Sequence, residues 1–124
     1  MGLLEGVLGN ASKIDVTKIA SEFEKILTHG ERVEHAYQLI RDYFVFTNKR
    51  LVLVDKQGIT GSRVEYCSIP YKSITHFSIE TNGTLDLDAE LKIWISSAPA
   101  PVARKFSRKL NIFEVQSVLA SYVL

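Results

Sequence analysis

The sequence is poor in residues that fasten a chain chemically. A single cysteine, Cys67, in 124 residues excludes an internal disulfide and any cysteine-clustered metal site, and fits a reducing compartment. Three histidines, His29, His35 and His76, lack the i, i+4 helical pair and the Cys/His spacing that would aim imidazoles at one zinc. No apolar run approaches the ~20 residues a helix needs to cross a bilayer. Glu5 interrupts the short apolar stretch at the start, and no basic segment precedes it, so a secretory signal is not expected. Gly2 fails the myristoylation pattern, because Gly6 stands where Ser or Thr is required. Charge of one sign is also scarce: 15 basic against 14 acidic residues leave +1, which argues against a protein that wraps nucleic acid. There is no Gly-x-Ser-x-Gly elbow. The glycines at 6 to 9 and 58 to 61 lack the third glycine or the Gly-Lys-Ser/Thr ending of phosphate loops. No catalytic residue, cofactor or metal is therefore expected.

What is present is ordinary globular material, 46% hydrophobic and 23% charged. A chain of this size folds from roughly 20,000 Å² of exposed surface to roughly 6,700 Å², enough for one domain over 1–124. Asp15 followed by Val16, Ile19, Ala20, Phe23, Ile26 and Leu27 spaces apolar residues for an amphipathic helix with an acceptor at its start, placing a helical extension over 1–30. From 31 to 110 the period changes to that of strands, expected near 32–41, 43–47, 51–56, 63–69, 74–81, 85–96 and 103–110. Asn82-Gly83 is a hairpin signal. In the sixth strand Leu85, Leu87, Ala89, Leu91, Ile93 and Ile95 alternate with Asp86, Asp88, Glu90, Lys92 and Trp94, so Trp94 points away from the apolar face. Asn111, with Glu114 three residues on and the stripe Ile112, Val115, Val118, Leu119, Tyr122, predicts a closing helix over 111–124. The pattern is mainly β (α+β): a bent antiparallel barrel of about seven strands, capped by a C-terminal helix, with an extra N-terminal helix.

Thr47-Asn48-Lys49-Arg50-Leu51, Asp55-Lys56-Gln57-Gly58, Thr60-Gly61, Tyr66, Ser68-Ile69-Pro70-Tyr71, Ile74, Phe77-Ser78 and Leu85 to Leu91 together resemble the bacterial pleckstrin-homology-like (PH-like) family, over nearly the whole chain. The resemblance implies that barrel with its closing helix, a cytoplasmic bacterial protein, and self-association into a ring-shaped homo-oligomer. It implies no established activity.

Lipid-binding relatives of the fold hold phosphates with several bases around the first strand connection. Here that connection offers only Arg41 and Asp42, too little charge for several phosphates. The densest basic cluster is Arg104, Lys105, Arg108 and Lys109, the candidate surface for an anionic ligand or a membrane. No aromatic platform accompanies it, so single-stranded nucleic acid is not expected. Asp86, Asp88 and Glu90 share one strand face but not the loop geometry of a cation site, and they suit cross-strand pairing with bases. The doubly apolar strands at 43–46 and 51–54, the leading helix and Trp94 suggest more apolar surface than one copy hides. An interface using Trp94, Asp86, Asp88, Glu90 and Lys92 is the leading expectation. A non-enzymatic, self-associating scaffold follows, with a partner of different sequence also open and membrane contact through residues 104–109 as the alternative.

Overall fold

In the computed structural model, residues 14–39, 42–81, 89–107 and 110–124 are described. The elements run α1 (Val16–Phe23), β1 (Val33–Gln38), β2 (Tyr43–Thr47), β3 (Arg50–Gln57), β4 (Arg63–Pro70), a 3-10 turn (Tyr71–Ser73), β5 (Ile74–Glu80), β6 (Ala89–Ile95), β7 (Val102–Phe106) and α2 (Ile112–Val123). The strands form a four-stranded sheet in the order β1-β2-β3-β4 and a three-stranded sheet in the order β5-β6-β7. The boundaries lie close to those expected from the residue pattern. β7 stops earlier, at Phe106, and the Leu110 amide then bonds back to the Ser107 carbonyl. The expected hairpin at Asn82-Gly83 and the first half of the sixth strand lie outside the described residues.

The chain divides into two compact units, Met1–Ile69 and Pro70–Leu124. In the first, the Asp15 carboxylate accepts from the Thr17 amide at 3.0 Å and starts α1. The i, i+4 pair Ile19 and Phe23 is then 3% and 0% exposed. These two side chains pack on Ala36, Val45, Val52 and Val54, one face of β1–β3. The opposite face carries Tyr37, Phe44, Phe46, Leu51 and Leu53, also buried. Tyr37 stands opposite Phe44 and Phe44 opposite Leu53, with Phe46 opposite Leu51. The doubly apolar strands are thus explained within the chain. The expectation that their second face needs another copy is corrected, because α1 shelters it.

In the second unit Ala89, Leu91 and Ile93 point to the buried side of β6, as the alternation requires. The side chain of Asn111 caps α2 by accepting from the Phe113 amide at 3.0 Å. Ile112, Val115 and Leu119 are its buried residues, and α2 packs on β5, β6 and the 3-10 turn. Tyr122 is half-buried and stacks on Tyr71 with ring centres 4.6 Å apart.

Candidate functional site: the polar face of the second sheet

Register fixes which side chains share the surface of β5–β7. His76 stands opposite Trp94, Ser78 opposite Lys92, and Glu80 opposite Glu90. Across the other side of β6, Lys92 faces Ala103 and Glu90 faces Lys105. Directly opposed residues share a face, so Trp94, Lys92 and Glu90 lie together with His76, Ser78, Glu80 and Lys105. Besides these groups and Ala103, the face carries one aromatic feature. The Trp94 ring lies flat on the His76 imidazole, 4.4 Å between centres and 12° between planes. The Thr75 hydroxyl sits 2.9 Å from His76 Nδ1 and donates to the Trp94 carbonyl at 3.2 Å. The Trp94 ring therefore finds its cover, within this unit, on the neighbouring strand, and remains half-buried.

Of the expected interface residues, Trp94, Glu90 and Lys92 are brought onto one face, while Asp86 and Asp88 lie outside the described residues. Glu90 has Glu80 on one side and Lys105 on the other. The two described members of the basic cluster occupy opposite faces of β7. Arg104 pairs with Leu91, on the buried side of β6, and Lys105 with Glu90 on the polar side. Arg104 is half-buried and donates to the Ala103 carbonyl at 2.9 Å. Arg108 and Lys109 lie outside the described residues.

Two polar features of the first unit were not visible as sites. Glu31, whose side chain is fully buried, accepts from Arg50 Nε at 2.8 Å and from Arg50 Nη2 at 2.9 Å. The Thr47 hydroxyl donates to the same carboxylate at 2.6 Å, and the Thr28 amide at 2.9 Å. Burial pushes the Glu31 carboxyl up. Hydrogen bonds from Arg50, the Thr28 amide and Thr47, with the guanidinium charge, outweigh it and hold the group down at about 2. Arg50 also reaches the Ile26 carbonyl at 2.6 Å and the Ser68 hydroxyl at 2.7 Å. The Thr47-Asn48-Lys49-Arg50 turn is therefore a pin between the end of the leading helical segment, β3 and β4. Glu31 lies nineteen positions from Arg50, a separation that carries no local signal.

The second feature is an open cleft of about 520 Å³ lined by Gln38, Lys56, Ile59, Thr60 and Gly61. Gly58 and Gly61 supply the positive φ that its loop needs, 85° and 71°. Lys56 is engaged: its ammonium donates to the Tyr43 hydroxyl at 2.8 Å, which raises its pKa, and lies 4.4 Å over the Tyr43 ring. Asp42 accepts from the Lys56 amide at 3.0 Å. One committed lysine beside an acid is a poor holder of several phosphates.

A four-stranded and a three-stranded sheet followed by a C-terminal helix are the parts of a PH-like fold. The bacterial PH domain family model matches residues 2–123, and the chain belongs to that family. It is 54% identical over 122 residues to the uncharacterised protein YjqA of Bacillus subtilis, covering 98% of both. It is 33% identical over 104 residues to the uncharacterised YozO of the same species, covering 84% of this chain and 89% of YozO. Among solved structures it is similar to a pleckstrin homology domain from Shewanella amazonensis, with TM-score 0.86, 48% identity and 98% of each chain covered. A second, from Shewanella loihica, has TM-score 0.83 and 45% identity over 91% of this chain and 97% of that one. The PH-domain fold is generally that of a non-catalytic binding module, and the matches indicate no enzymatic family. No described helix is long and apolar enough to cross a membrane.

Proposed function

We propose that this chain is a non-enzymatic PH module of the cytoplasm that works as a ring-shaped homo-oligomer, with the polar face of β5–β7 around Trp94 at the contact between copies. The observation that carries the reading is the flat Trp94–His76 stack on a face that also carries Ser78, Glu80, Glu90, Lys92, Ala103 and Lys105. An aromatic anchor ringed by charged groups is the composition of a contact centre with a polar rim. Light scattering at micromolar concentration tests it. The wild type should have a mass several times that of one chain, and Trp94→Ser should shift the assembly to smaller species. A wild type that is monomeric there overturns the reading.

The alternative, an anionic-ligand or membrane module using Arg104, Lys105, Arg108 and Lys109, has less behind it, because Arg104 and Lys105 occupy opposite faces of β7. It requires salt-sensitive cosedimentation with acidic liposomes, and absence of binding at low salt removes it.

A further inference from the structure

Trp94 is the one tryptophan of the chain, and the side chain laid on it, His76, is of the residue type whose charge changes between about pH 5 and 8. The two are direct register partners on β6 and β5, with ring centres 4.4 Å apart and planes 12° apart. A partner that covers Trp94 on this face therefore covers His76 as well.

What surrounds the imidazole decides how a proton on it is received. Its diagonal neighbour on the same face is Lys92, which stands opposite Ser78, at the ~7–8 Å of such pairs. Glu80 lies further along β5, roughly 13 Å away on an extended strand, with Glu90 opposite it. Lys105 faces Glu90 from β7. The Thr75 hydroxyl at His76 Nδ1 is uncharged. α2 packs on β5 and β6 and buries Ile112, Val115 and Leu119. An apolar stripe packs on the apolar face of a sheet, the side away from His76. The titratable groups on α2 are Glu114 and Tyr122, and Tyr122 is engaged with Tyr71 of the 3-10 turn, next to Lys72. By register, the nearest described charge to His76 on its own face is thus positive, and the two carboxylates stand together further off.

Water on an open face solvates a charged imidazole. On a covered face that water is gone, the repulsion from Lys92 is less screened, and no described carboxylate of the same copy is close enough to offset it. The attraction of a cation to the Trp94 ring is present in the free copy and in the assembled one, so most of it cancels.

We propose that His76 makes the contact between copies proton-sensitive: the faces join while the imidazole is neutral and part as it becomes charged. The inference rests on the homo-oligomer reading and adds its regulation. By linkage, an assembly that excludes a proton is weakened by that proton, so association is strongest when the imidazole is neutral and is lost as the pH falls and it takes up its charge.

Light scattering of the full chain at about pH 8 and about pH 5.5 tests it, a window in which ordinary carboxylates keep their charge and lysines their proton. The wild type should need at least about tenfold more protein to assemble at the lower value. His76→Gln, neutral and planar at both values, should assemble alike at both. His76→Arg, charged at both and able to stack on an aromatic face, should assemble weakly at both, with circular dichroism confirming that all three proteins are folded. His29 and His35 are kept in every protein, so a response lost with His76 belongs to it. A wild type that assembles equally at both values, or a His76→Gln protein that keeps the wild-type response, overturns the proton gate alone. A wild type that is monomeric at about pH 8 overturns the homo-oligomer reading together with it.

Discussion

The Glu31 carboxylate is the residue on which acid stability turns. Its native pKa of about 2 lies below its ordinary 4.5, so between those values the unfolded chain binds more protons than the folded one. Stability from this group is present above about 4.5 and is lost as the pH falls towards 2. Urea unfolding across that window should show the midpoint dropping, and Glu31→Gln should flatten the drop. Removing the partner is harsher than acidification at neutral pH, because Arg50→Ala leaves a buried charge facing only Thr47 and the Thr28 amide. The expected cost is about 3–5 kcal/mol by chemical denaturation. Arg50→Lys should recover only part of it, since an ammonium cannot reproduce the fork that reaches Glu31, Ile26 and Ser68 together. Arg50 was legible in the sequence as a charge in a turn. Its role was not, because the acid that completes it is brought in by the chain's return from α1.

Among the elements, α1 illustrates how an amphipathic pattern can be read correctly and its consequence misread. The spacing of Ile19 and Phe23 predicts a buried stripe, and both are buried. What they bury against is the second apolar face of β1–β3, the surface the residue pattern assigned to another copy. Phe23→Ala should therefore cost about 3–5 kcal/mol, read as a fall in the denaturation midpoint, and should raise the binding of a hydrophobic dye by baring Val45, Val52 and Val54. β6 is the opposite case. Strict alternation places Leu91 and Ile93 inward and Trp94 with Lys92 on the polar side, and this was readable because a period of two admits only one arrangement of faces.

For the whole molecule, solvent access should track assembly. β2 has strand neighbours on both sides, and Phe44, Val45, Phe46 and Thr47 are buried, so its amides should exchange slowest at every concentration. Those of β5, β6 and β7 should exchange faster on dilution while β2 stays unchanged, checked by hydrogen–deuterium exchange of the full chain at two concentrations. Equal exchange at both, in a protein that light scattering shows to dissociate, would remove these strands from the contact. Among the described residues, the sequence by itself determined the order of the strands and of the two helices, the strand faces and the two helix caps, because those follow from spacing and from side chains within a few positions of one another. It also carried the family, through motifs spread along the chain. Tertiary structure alone decided that α1 covers the first sheet and that Glu31 meets Arg50. Each depends on register or on contacts between distant segments, and residue order encodes these only through the fold.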